Sequence, residues 1–155
     1  MKTLILGLGN PLVTDDSVGL RVAAEVKCRL ANRPDIEVDE DYCGGLRLME
    51  RLVGYDRAIV IDAICSGAPP GTIQRLTPGA IPTQRNATSH DVSLPTALAL
   101  GRKVGLALPA DGDILLVAIE AEDILNFGHS CTPAVAAAIP LAVEMVLEAI
   151  ASFPE

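Results

Sequence analysis

Leu4-Ile5-Leu6-Gly7-Leu8-Gly9-Asn10-Pro11-Leu12-Val13-Thr14-Asp15-Asp16-Ser17-Val18-Gly19 reads as a strand, a glycine turn and the start of a helix. The apolar run Leu4-Ile5-Leu6 supplies the strand, and Val18, Val22, Val26 and Leu30 recur at the four-residue spacing of one helix face. Between them, Gly7 and Gly9 can take backbone angles closed to other residues, Asn10 tolerates them best among the rest, and Pro11 stiffens the exit. Such a loop brings backbone close to something. Asp15 and Asp16 then stand where the helix begins, and one of them, or Thr14, is expected to cap it. Capping needs one side chain, which leaves the second acid for another task.

Working outward, Ile36-Glu37-Val38-Asp39-Glu40-Asp41 alternates apolar and acidic residues and suits a strand near a sheet edge. Tyr42-Cys43-Gly44-Gly45 is a turn, after which Leu46, Met49, Leu52 and Val53 carry a helical period. Ala58-Ile59-Val60-Ile61 and Ile114-Leu115-Leu116-Val117-Ala118-Ile119 are apolar without alternation, the pattern of strands covered on both faces. The first of these runs ends at Asp62. Thr72-Ile73-Gln74-Arg75-Leu76 is a half-polar, peripheral strand. Pro78 to His90 has neither period and is long for a connection, while Val92, Leu94, Ala97, Leu98 and Leu100 mark a short helix capped by Ser89 or Asp91. Thr132-Pro133 opens a last helix with stripe Val135, Ile139, Ala142, Val143, Val146 and Ile150, which Pro140 should kink. Strands alternating with helices predict an α/β fold, an open and mostly parallel sheet with helices on both faces.

The chain has 155 residues, one domain spanning 1–155, and a chain of that size buries roughly 70% of its unfolded surface. Half its residues are hydrophobic but only 3% are aromatic, so the core is aliphatic and stacking platforms for single-stranded nucleic acid are missing. A net charge of -8 repels phosphate backbones and anionic membranes and favours a cationic, neutral or metal-bearing partner. The first residues lack signal-peptide architecture, and no apolar run approaches the roughly 20 residues of a membrane span, which points to the cytoplasm. Cys28, Cys43, Cys65 and Cys131 lack C-x-x-C spacing and are expected as free, buried thiols. Asn86-Ala87-Thr88 matches the glycosylation pattern, which has no meaning without secretion.

In open sheets of this kind ligands bind outside the carboxyl ends of the strands. Three polar residues fall there: Asp16 after the first strand, Asp62 at the end of the third, and His90 at the close of the long loop. Two carboxylates and an imidazole make an oxygen and nitrogen set suited to nickel or zinc, or to acid–base work. His129 is a competing imidazole, expected to be loop structure. Ser93 is a weaker candidate nucleophile with His90 as base, but no G-x-S-x-G elbow surrounds it.

Gly7-x-Gly9-Asn10, Thr14-Asp15-Asp16-x-x-Gly19, Asp62-Ala63, Ser89-His90 and Thr132-Pro133-x-Val135 together resemble the hydrogenase maturation endopeptidases, nearly end to end and in order. The resemblance implies a single-domain three-layer fold, with a five-stranded, mostly parallel twisted sheet carrying one antiparallel strand between helices. It further implies removal of a C-terminal extension from a nickel-iron hydrogenase large-subunit precursor once nickel is inserted. The family's ligand and catalytic positions fall on Asp16, Asp62 and His90. Nickel would come with the substrate, although zinc or cadmium fits the same site in isolated protein. A monomer that binds no nucleic acid and no membrane is expected. Two features depart from the family pattern: Asp16 stands where Glu is frequent, and Glu40-Asp41-Tyr42-Cys43-Gly44-Gly45 replaces a turn close to D-G-G-T.

Three rivals share some of these features. Peptidyl-tRNA hydrolases also begin Gly-Leu-Gly-Asn-Pro, yet they continue with a basic segment, not Thr14-Asp15-Asp16. A dinucleotide-binding module needs a third glycine near Leu12 and would set phosphates against two acids. A catalytically silent metal-sensing chaperone for the same client is the third.

Overall fold

The structure, a computed structural model, describes residues 1–80 and 92–153. Its strands are β1 (Thr3–Leu8), β2 (Ile36–Asp41), β3 (Arg57–Ile64), β4 (Ile73–Leu76) and β5 (Ile114–Glu120). Its helices are α1 (Val18–Arg29), α2 (Gly45–Arg51), α3 (Leu94–Lys103) and α4 (Pro133–Ser152). The strands form one sheet in the order β2-β1-β3-β5-β4, parallel except for β4 against β5. β2 and β4 are the edges and β3 the centre, as the alternation of one and the unbroken apolar run of the other predict.

Helices cover both faces. Ile5, Ile59, Ile61, Val117 and Ile119 point to a layer made by α1 and α4, and Leu4, Leu6, Ala58, Val60 and Leu116 to one made by α2 and α3. Residues two apart in a strand share a face, so a continuous apolar run feeds both cores. From β1 the chain passes through α1 to β2 on one side, then through α2 to β3 on the other. The sheet therefore reverses direction between β1 and β3, and a crevice opens outside their carboxyl ends.

Close packing at that crevice explains the first glycines. A Cβ on Gly19 would stand 2.4 Å from the carbonyl oxygens of both Leu8 and Ile61, so only glycine lets the start of α1 rest on the end of β1 and on β3 at Ile61. Gly9 has φ +150°, and a Cβ there would lie 2.0 Å from the carbonyl oxygen of Asp16. Gly19→Ala is expected to cost about 3 kcal/mol or more by overpacking against backbone, read as a lowered denaturation midpoint with unchanged slope. A midpoint at the wild-type value would contradict that packing.

Several local expectations need correction. β3 does not stop at Asp62, because the apolar pair Ala63-Ile64 continues the ladder to Glu120 of β5. None of Thr14, Asp15 and Asp16 caps α1: Ser17 holds the cap position without a capping bond from its side chain. Ser93 caps α3, its hydroxyl accepting from the Thr96 N–H at 3.4 Å; Ser89, Asp91, His90 and the Asn86 pattern lie outside the described residues. In α2 the buried residues are Leu48 and Met49, with Leu52 just beyond, whereas Leu46 and Val53 are exposed. The cysteines are free, but Cys28 and Cys65 are exposed and Cys43 and Cys131 half-buried.

α4 runs unbroken through Pro140, on the exposed side of the helix, where water can take the place of the missing N–H. By length and composition alone α4 would suffice to cross a membrane, with mean hydropathy 2.0, contrary to the expected absence of any such run. Here Val135, Ala138, Ala142, Val143 and Val146 face the core layer shared with α1.

Candidate active site

The two adjacent acids of the first loop have different tasks. Asp15 is fully buried, and its carboxylate accepts four hydrogen bonds. The N–H groups of Glu122, Asp123 and Thr132 and the Thr132 hydroxyl donate to it at 2.8–2.9 Å. It thus ties the β1–α1 loop to the β5–α4 connection. Thr132 sits at the cap position of α4 yet gives its hydroxyl to Asp15 and makes no capping bond. Asp16 is half-buried, with Oδ2 accepting from the Asn10 N–H at 2.9 Å. The loop is folded by one acid and presents the other.

Asp62 alternates with Ala58, Val60 and Ile64, which lie on the sheet face covered by α2 and α3. Its Oδ1 accepts from the N–H of Ala63 at 2.8 Å. Burial, followed by the negative charge of Asp16, pushes its carboxyl up to about 8, well above the carboxylate range. Asp16 and Asp62 are thereby electrostatic neighbours across the β1–β3 crevice. His90, the third expected member, lies outside the described residues. Val92, two positions on, belongs to the α2–α3 layer, and the Val92 carbonyl lies so close to Gly45 that a Cβ there would approach it to 1.8 Å. Among the described residues no three His, Cys, Asp or Glu side chains converge to hold a metal ion.

Around this pair the crevice is acidic. Asp41 ends β2 and takes charge contacts at 3.5 Å from Arg47 and Arg51, and Cys43 follows it. Burial, then the charges of Asp41 and Asp62, push the Cys43 thiol up to about 11, so it is a poor thiolate. On the α1 side a groove of about 390 Å³ lies between Gly9, Ser17, Arg21, Glu40, Asp41 and Tyr42.

A family model described as hydrogenase maturation protease matches residues 20–149. The chain belongs to the hydrogenase maturation protease family. Its sequence is 30% identical over 153 residues to the hydrogenase 2 maturation protease of Escherichia coli K12, covering 97% of this chain and 91% of that one. It is 28% identical over 155 residues to the hydrogenase expression/formation protein HupD of Thiocapsa roseopersicina, covering 98% and 69%. Among solved structures, the hydrogenase maturating endopeptidase HybD from E. coli matches with a TM-score of 0.80 at 29% identity, covering 97% and 93%. The family model begins after the first loop, whereas the near full-length relatives include it.

In this maturation protease the other candidates, His129 and Ser93, make local contacts. His129 is exposed, and its backbone carbonyl accepts a short bond from Arg21. Ser93 is engaged with Thr96, its hydroxyl also donating to Thr96 Oγ1 at 2.9 Å. One functional-looking acid escaped the sequence altogether: Glu120, 2% exposed, accepts from the Ser66 N–H and hydroxyl and the Gly67 N–H at 2.7–3.1 Å. It clamps the β3–β4 turn. The only hint of it in the sequence is a charge directly following a strand apolar on both faces.

Proposed function

We propose that this protein removes the C-terminal extension of a nickel-iron hydrogenase large-subunit precursor after nickel insertion, with Asp16, Asp62 and His90 meeting the nickel that the substrate carries. Family membership supports proteolysis during hydrogenase maturation. The observation that carries the metal-reading part is the pairing of Asp16 and Asp62 at the switch point of the sheet. Two like charges facing one crevice are costly unless a proton or a cation lies between them. A divalent ion arriving with the precursor would displace the Asp62 proton, and the carboxylates would fix that ion where it polarises the scissile carbonyl or activates water.

The raised Asp62 also favours a second reading of the chemical step. With its carboxyl raised to about 8, Asp62 holds a proton near neutral pH and has the protonation that suits a general acid acting directly beside a second carboxylate. Glu40, Asp41 and Tyr42 line the groove, which supports a part for this turn in the choice of precursor. We expect the protein to act in the cytoplasm as a monomer.

Purified protein is expected to shorten nickel-loaded precursor and leave nickel-free precursor intact, followed by gel mobility and mass of the released peptide. Equal cleavage of both would refute metal reading while leaving the protease intact. His90→Ala is expected to stop processing with an unchanged circular dichroism spectrum; an active His90→Ala protein removes that residue from the site.

A further inference from the structure

We propose that the exposed apolar residues Leu12, Leu125 and Phe127 form a preformed docking platform for an apolar, basic-rimmed patch on the folded precursor. The platform rests on the reading above for the identity of its partner. Leu125 is 86% exposed, Phe127 82% and Leu12 62%, and Phe127 is one of only two phenylalanines in the chain. Single exposed apolar residues are ordinary. These three are set apart by the backbone that holds them out.

The two segments are strapped together. Val13 and Phe127 form an antiparallel bridge, the Gly128 N–H donates to the Leu12 carbonyl at 3.1 Å, and both the N–H and the hydroxyl of Thr14 donate to the Asn126 carbonyl, at 3.1 and 2.7 Å. Inside the turn, the Asp123 carboxylate accepts from the N–H groups of Leu125 and Asn126 and from the Asn126 amide, each at 3.0 Å. Beneath lies Asp15 with its four bonds. Gly128 permits the strap, since a Cβ there would stand 2.8 Å from Thr14 Oγ1.

A loop stiffened to this degree keeps apolar side chains in water when it could otherwise fold them away. Its order is already established before a partner arrives, which lowers the entropy lost on association with a rigid surface. Leu12 and Asp16 share one loop, so a protein seated here sits against the loop that carries one of the paired acids. Glu122 and Asp123 flank the apolar residues, so a complementary partner carries basic groups at its rim, and a nucleic acid or anionic membrane is disfavoured.

The test compares the full chain with a Leu125→Ser/Phe127→Ser double variant, using nickel-loaded large-subunit precursor as the probe. The double variant is expected to raise KM at least about tenfold with kcat unchanged, because loss of central apolar anchors acts on association. Phe127→Tyr restores wild-type KM. Calorimetric binding of uncleaved precursor to an Asp16→Asn protein is expected to weaken in parallel when the two Ser substitutions are added. Wild-type KM and affinity in a folded double variant overturn the platform. So does a concentration-dependent dimer that the double variant dissolves while precursor binding is retained, since a second copy then occupies the patch. Precursor that is bound through Phe127 but never cleaved supports the platform and sinks the proteolytic function instead.

Discussion

Asp62→Asn is expected to abolish precursor processing while making the metal-free protein more stable at alkaline pH. In the fold the Asp62 carboxyl is raised to about 8 by burial and by Asp16, against an ordinary value of 3.8 in the unfolded chain. The sign follows from proton linkage: the folded state binds the Asp62 proton more tightly, so ionising it opposes folding. The penalty is absent below about pH 4, grows as pH rises, and is complete above about pH 8. Asparagine carries no charge and still accepts from Ala63, so the variant escapes the penalty. Because Asp62 keeps some contact with solvent, the gain is expected at about 2 kcal/mol at pH 9 rather than the full linkage value, and near zero at pH 4. Thermal melts of the chelator-treated proteins at the two pH values check this. Equal midpoints at pH 9 would mean that neither burial nor Asp16 opposes ionisation of Asp62.

Asp15→Ala is expected to be the most damaging change in the first loop, at about 3 kcal/mol or more, because it strands three part-buried N–H donors and the Thr132 hydroxyl in the β5–α4 connection. For a domain of this size that lowers the melting midpoint by about 10 °C. Asp16→Ala, which forfeits the bond from the Asn10 N–H, is expected to stay within about 1 kcal/mol of wild type and yet lose processing. Guanidinium titrations of both variants, run beside a cleavage assay, separate the acid that holds the loop from the acid that serves the site. A stable Asp15→Ala protein together with an unfolded Asp16→Ala protein would reverse the assignment.

Much of this arrangement is legible in the residues. The both-sided apolar runs of β3 and β5, the alternation in β2 and the Val18-Val22-Val26 stripe are consequences of burial, and burial follows residue type. What periodicity cannot supply is where hydrogen bonds go. Thr14, Asp15 and Thr132 have the chemistry of helix caps; in the structure Ser17 takes the cap position of α1, and Thr132, although at the cap position of α4, gives its hydroxyl to Asp15 instead of making a capping bond. Asp62 looks like the end of a strand because polar residues usually end apolar runs. The ladder to β5 carries β3 past it, so its carboxylate rises from within the sheet.

The amino-acid sequence by itself determined the α/β class and the two covered strands, because these depend on local pattern and on the order of elements. Only the tertiary structure divided the Asp15-Asp16 pair into a buried strap and a presented acid, and only it revealed Glu120 as a clamp. A carboxylate's role is set by the donors and charges brought to it from distant parts of the chain, here Glu122, Asp123 and Thr132 for Asp15 and Asp16 for Asp62.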